Sequence, residues 1–290
     1  MIYLLHVIVL IGIFAILSTS LNLVAGHAGL LSMAHGAFFG IGAYTSALLS
    51  LNADFPFWAA FATSMAAGCA LSVLVSGPSL RLREDYFVIA AFGFQLIVSS
   101  VFNNWVGLTR GPQGIGGIPR PRILGWNVDS QVAFALLSLT LAGASIAVVG
   151  AISRSAFGRV LRSIREDEIL SQACGKSTVR TKVAAFAVSA ALAAAAGSLY
   201  AHYISFIDPT GFTVMDSILI LAMVIIGGAG GLFGPALGAA ILVVFPEALR
   251  FVGLPGYVAG HLRQVMYGTA LVLFVVLRPR GIVVKNGARR

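Results

Sequence analysis

A chain of 290 residues in which 58% are hydrophobic and only 10% charged cannot cover a water-soluble surface, because soluble domains carry roughly 25% charged residues. Its net charge of +9 does not read as a nucleic-acid footprint, since the basic residues sit in short connectors between apolar runs and no RNA- or DNA-binding module is visible. The two cysteines, Cys69 in an apolar run and Cys174 in a basic connector, supply neither a disulfide framework nor a metal cluster.

Residues 1–53 contain no Asp, Glu, Lys or Arg, which predicts spans near 3–25 and 28–51. The first run lacks a basic leader and an A-x-A cleavage pattern, so it reads as a retained span. Further spans are expected near 57–80, 86–107, 131–152 and 183–206, then a glycine-broken region over 217–249 and a last span near 262–278. The expected fold is therefore all-α: one transmembrane domain over 1–290 with about eight or nine helical membrane segments.

The connectors set the expected orientation. Residues 153–182 hold Arg154, Arg159, Arg162, Arg165, Lys176, Arg180 and Lys182 against three acids, and the tail 278–290 is purely basic, which places both in the cytoplasm. Parity puts Arg81-Leu82-Arg83 on the same side and the Gly/Pro-rich connector 107–129, with Arg110, Arg120 and Arg122, outside. So long a connector is expected to be functional or mobile. External arginines there are candidates for steering an acidic soluble partner.

Two glycine-rich stretches echo each other: Gly26 to Ala37 aligns without gaps on Gly228 to Ala239, with Gly26, Gly29, Leu30, Ala34, Gly36 and Ala37 recurring. Paired glycine-interrupted helices mark the solute path in many transporters. Asn22, His27, Ser32, His35, Gln95, Gly228 and Gly231 are the candidate lining residues; a structural hydrogen bond between helices is the bland alternative for the histidines. Gly36 with Gly40, and Gly230 with Gly234 and Gly238, have the spacing of close helix packing.

No span interior carries a clear acid or base, which argues against ion-driven transport. H-E-x-x-H and G-x-S-x-G are both absent, and Leu170 stands where a phosphate-binding loop ending in Gly175-Lys176-Ser177 needs glycine. No catalytic residue, metal ligand or cofactor is expected. In the basic connector, Phe157, Val160, Leu161, Ile164 and Glu168 trace one helical stripe and Arg159, Arg162 and Arg165 another. Such a helix, ended by Gly175, can dock into a partner or lie against anionic lipid.

The strings Leu21-Asn22-Leu23-Val24-Ala25-Gly26-His27-Ala28-Gly29-Leu30-Leu31-Ser32, His35-Gly36-Ala37-Phe38-Phe39-Gly40-Ile41-Gly42-Ala43-Tyr44, Gly111-Pro112-Gln113-Gly114-Ile115 and Met223-Val224-Ile225-Ile226-Gly227-Gly228 run through nearly the whole chain. In that order they resemble the LivM/LivH-like permeases of branched-chain amino-acid ABC importers, more closely the LivM branch. The resemblance implies an inner-membrane permease subunit paired with a second, LivH-like permease. Two ATP-binding subunits would sit on the cytoplasmic face and a periplasmic or extracellular substrate-binding protein outside, so that ATP is used by partners only. It implies a coupling helix over 165–175, carried by Arg165, Glu166, Asp167, Glu168, Gln172, Ala173 and Gly175, in which Gln172-Ala173-Cys174-Gly175 matches the family's E-A-x-G core with Gln in place of the acid. Relatives of this kind also serve urea, amides and aromatic acids. The rival reading is a self-sufficient secondary transporter or channel.

Overall fold

The computed structural model describes residues 2–80, 84–123, 126–127, 130–250 and 268–269. The Arg81-Leu82-Arg83 connector, the expected last span and the basic tail lie essentially outside them. The long helices are α1 (Ile2–Asn22), α2 (His35–Asn52), α3 (Phe57–Ser79), α4 (Glu84–Asn104), a short α5 (Val106–Thr109) and α6 (Gln131–Arg154). Then follow α7 (Ala156–Glu166), α8 (Glu168–Ala173), α9 (Thr178–Ile204), α10 (Val214–Gly227) and α11 (Gly234–Arg250). Six helical segments among the described residues are long and apolar enough to cross a membrane, against the eight or nine expected over the whole chain. Helix α2 falls outside that group because it carries His, Thr and several Ser and Gly, and it tolerates them because most of its residues are buried within the bundle.

Two directions are fixed by the chain itself. Helix α6 runs from the 107–127 loop to the basic connector, and α9 returns from the connector to that loop. The loop is folded rather than slack: β1 (Ile115–Gly116) pairs antiparallel with Phe206–Ile207 just after α9, and Arg122–Ile123 pairs with Trp126–Asn127. These two-residue ladders depart from the all-α expectation. They arise because positive φ at Arg110, Gly111, Gly114 and Gly117 turns the chain repeatedly, while Ile115 and Ile118 bury their side chains. The bundle therefore has a loop end and a connector end.

Helix ends carry side-chain caps at the connector. Ser155 accepts from the Gly158 amide at the start of α7, and Asp167 accepts from the Leu170 amide at the start of α8. The single helix expected over 165–175 is thus two helices. Asp167 is extended (φ −156°, ψ 109°), and its carboxylate favours starting a new helix over continuing the old one. Helix α8 ends as foreseen: Gly175 is left-handed (φ 75°), the Lys176 amide bonds to Ser171 O and the Gly175 amide to Gln172 O, the pattern of a Schellman cap.

At the centre, α9 packs between α2 and α3 through small residues. A Cβ at Gly197 would collide with Phe39 O, one at Gly42 with Ala194 O, and one at Gly68 with the Ala194 side chain at 2.7 Å. Without a hydrophobic force between helices in lipid, such backbone approach provides the dispersion contact that holds them. Gly238 likewise lets α11 lie against Met223 O of α10, and Gly36 and Gly40 sit against Ser217 and Phe212. Gly197→Ala should therefore cost about 2–3 kcal/mol through overpacking. Gly93→Ala, where an added Cβ meets nothing within 4 Å among the described residues, should be neutral or slightly stabilising. Heating in detergent followed by size-exclusion chromatography checks the contrast; equal melting of the two variants would refute the packing assignment.

Candidate functional site

Helix α1 does not end cleanly. Its last turn, Leu23–His27, is a π-helix, and residues 28–34 are irregular before α2 begins at His35. Helix α10 stops at Gly227, and residues 228–233 are irregular before α11. These are the two echoing glycine stretches, and the structure brings them together. Asn22 joins them: its amide nitrogen donates to Gly231 O at 2.8 Å and its carbonyl accepts from the Gly230 amide at 2.8 Å. Gly26 is needed there, since a Cβ would collide with the Asn22 side chain and the Gly230 amide. Ser18 adds a bond to Pro235 O at 2.9 Å.

The junction lies at the connector end, where Arg165 in the last turn of α7 reaches across it. Its guanidinium donates to Gly26 O. Gly29, left-handed at φ 76°, leaves the room for the stem of Arg165, whose Cγ is 2.9 Å from where a Cβ would stand. Arg165, placed with the coupling residues on sequence grounds, is an exposed residue whose Nη1 reaches inward to this carbonyl. His27 donates through Nδ1 to Asn22 O at 3.1 Å, across the π-turn. His27, Gly230 and Gly231 also line a cavity of about 530 Å³ shared with Arg154 and Arg162.

The remaining candidates form a second polar group around the start of α2. That start has no cap of its own from Ala34. Instead Ser217 of α10 accepts from the Gly36 amide at 2.8 Å, and Gln95 of α4 accepts from the Ala37 amide at 2.5 Å. Gln95 then donates to Phe212 O at 2.9 Å, while Ser32 accepts from the Ala34 amide at 3.2 Å. His35 bonds through Nε2 to Ser189 Oγ at 3.0 Å, and Ser189 donates onward to Ser20 O, so His35 carries its proton on Nε2. Among the described residues His35 Nδ1 is buried without a partner. Asn22, Ser32, His35 and Gln95 are all fully buried in this conformation, and the hydrogen bonds they make brace the helix interruptions. Gly228, left-handed at φ 103°, ends α10, and its amide bonds to Val224 O and Ile225 O.

On the connector, Glu168 forms a salt bridge of 2.6 Å with the buried Lys182 of α9, and Gln172 donates to Thr178 Oγ1 at 3.0 Å. These bonds dock α8 onto α9. Ile169 (81% exposed) and Leu170 (62%) point away from the bundle, with Glu166, Asp167 and Ala173 exposed beside them. Arg110 and Arg120 are exposed on the loop, Arg122 sits in a strand, and among the described residues no His, Cys, Asp and Glu gather as a metal site.

Sequence reading missed His202. Near the loop end it donates through Nδ1 to Pro119 O at 2.6 Å and accepts through Nε2 from Ser46 at 2.9 Å, which in turn accepts from Ser198 at 2.7 Å. The available signal was two polar pairs at i, i+4 spacing, Ser46 with Ser50 and Ser198 with His202.

Comparison with known proteins places this architecture. A family model described as "Branched-chain amino acid transport system / permease component" matches residues 3–276. This chain belongs to that permease family. It is 34% identical to the high-affinity branched-chain amino acid transport system permease protein LivM of Salmonella typhimurium, over 93% of this chain and 68% of the relative. It is also 34% identical to LivM of Escherichia coli, over 96% and 71%. LivH of Escherichia coli matches at 25% identity over 93% of this chain and 91% of its own length. No solved structure matches the chain. Family membership and the membrane-length apolar helices make this an inner-membrane permease.

Within that permease, loss of the Asn22 clamp should be costly, because the buried Gly231 carbonyl would lose its partner at about 1–3 kcal/mol and the part-buried Gly230 amide at about 1 kcal/mol. Asn22→Ala should lower stability by about 2–4 kcal/mol, and Asn22→Asp, which keeps the acceptor for Gly230 but loses the donor to Gly231, should also destabilise. Thermal unfolding in detergent tests this; an unchanged midpoint for Asn22→Ala would show that the clamp does not hold the junction.

Proposed function

We propose that this chain is one permease subunit of an ATP-driven importer, forming with a LivH-like partner the path for branched-chain amino acids or related small polar solutes. The observation that carries the reading is the contact of Arg165 with Gly26. It links the connector directly to the junction of the two interrupted helices, so that force on α7 and α8 reaches the segments whose backbone groups are freed from helical bonding.

The connector has the form such a task needs. Helix α8 is anchored inward by the Glu168–Lys182 pair while Ile169 and Leu170 face outward. In a basic element on the cytoplasmic side, two exposed aliphatic side chains are an anchor for a partner groove. That partner is an ATP-hydrolysing subunit. A substrate-binding protein docks at the opposite, loop end, where Arg110 and Arg120 are exposed and Arg122 is adjacent. The solute passes between the Gly26–Ala37 and Gly228–Ala239 segments, which requires Asn22 and Arg165 to release the bonds that brace the junction here. The relatives LivM and LivH are permeases of branched-chain amino acid transport, which supports that substrate class.

The expected result for Leu170→Glu, and for Gly175→Val, is a loss of uptake of roughly tenfold or more, because a buried interface charge or a misdirected α8 costs at least 1.4 kcal/mol of coupling. Both variants should stay inserted. Uptake and binding-protein-stimulated ATP hydrolysis in vesicles reconstituted with all subunits are the measurements. Wild-type values in both variants would remove α8 from coupling, and full uptake by the lone chain would favour a secondary transporter.

A further inference from the structure

We infer that this chain carries a binding site for one anionic phospholipid, seated in a groove along α6 with its phosphate at Arg154 and Arg162. The groove holds about 440 Å³, has Gly143, Ala147 and Gly150 as its floor, and is walled by Leu232 and Phe233 from the irregular segment before α11. It runs along roughly 16 Å of helix from residue 143 to residue 154, at a rise of about 1.5 Å per residue.

Small residues make the groove. Among the described residues an added Cβ at Gly143 would meet nothing within 4 Å, and the nearest wall atom to one at Gly150 is Leu232 Cδ1 at 3.1 Å. Phe233 is 61% exposed, so its ring stands as a free rim. At the connector end the groove opens into the cavity of about 530 Å³, because Arg154, Leu232 and Phe233 line both spaces. Arg162 enters that cavity and donates from Nη1 to Ser153 O at 3.0 Å, which holds the guanidinium beside the groove mouth. Among the described residues no acid lines either space.

An apolar channel along a membrane-length helix, ending in two arginines, matches a ligand with an acyl chain and an anionic head. A free phosphate would leave the apolar part unfilled, and a zwitterionic lipid would bring a cation against the arginines. Basic recesses between helices at a membrane surface bind acidic headgroups for this electrostatic reason. The site is separate from the α8 surface and does not depend on the importer reading.

Native mass spectrometry tests it on the full chain purified with its co-purifying subunits, delipidated, then titrated with dioleoyl phosphatidylglycerol or dioleoyl phosphatidylcholine. Roughly tenfold preference for phosphatidylglycerol is expected, and dihexanoyl phosphatidylglycerol should compete poorly. Arg154→Gln with Arg162→Gln should remove the preference. Gly143→Leu, which fills the groove at a position with no neighbour to strain, should weaken both long-chain lipids. Equal binding of the two lipids by the wild type, or unchanged binding in both variants, would overturn the site. So would a crosslink from Ala147→Cys to a second permease subunit in a chain whose Cys69 and Cys174 are Ser, since that would assign the groove to a protein interface.

Discussion

In a membrane, backbone groups released from a helix have no water to turn to, and the structure depends on how two such interruptions satisfy each other. An unpaired amide or carbonyl in hydrocarbon costs several kcal/mol, so a helix broken at residues 23–34 or 228–233 survives only against prepared partners. Asn22 supplies a donor and an acceptor to the second break from the first. Arg165 takes up Gly26 O from the connector, and Ser217 and Gln95 replace the missing cap of α2 from two other helices. Every one of these groups is polar, yet their combined effect is to close the bundle.

This arrangement separates a stiff part from a part that can rearrange. The α2, α3 and α9 contacts rest on backbone approach at Gly42, Gly68 and Gly197, where no side chain can rotate to accommodate motion. The junction instead rests on a few hydrogen bonds, each of which water or a polar solute can replace at small net cost. A permease needs both: helices that persist through a cycle, and a closure that can be exchanged for a ligand. The connector touches each part, through Lys182 to α9 and through Arg165 to the junction.

Much of this was legible in the residues because the apolar runs are long and charges fall only between them. The helix starts at 57 and 131 follow from such run ends, and the left-handed Gly175 from its position after a helical stripe, whereas α9 begins at 178, ahead of the expected 183, and takes Arg180 and Lys182 into its first turns. The pairing of the two glycine stretches was visible as an internal echo, though the residues chosen as path lining are fully or nearly buried braces in this conformation. What stayed hidden depends on contacts distant in sequence. Nothing near Arg165 announces that its partner is a carbonyl at Gly26, and the bonds of Gln95 to Ala37 and of His202 to Pro119 cross different helices or loops. The break at Asp167 was missed because the helical stripe from Phe157 to Glu168 was drawn across it, whereas a single carboxylate cap decides where α8 starts. The ladders in the 107–127 loop were obscured by two-residue strands too short for any alternation to show.

Hydrogen–deuterium exchange of the full chain in detergent or nanodiscs, comparing the wild type with Arg165→Met, tests most directly whether the connector holds the junction. Met keeps an unbranched apolar stem beside Gly29 but cannot donate to Gly26 O. The account predicts exchange faster by about tenfold or more in peptides covering residues 23–34 and 228–233, equivalent to losing about 1.4 kcal/mol of local protection, with α9 unchanged. Identical exchange in both segments would contradict the claim that Arg165 couples the connector to the broken helices.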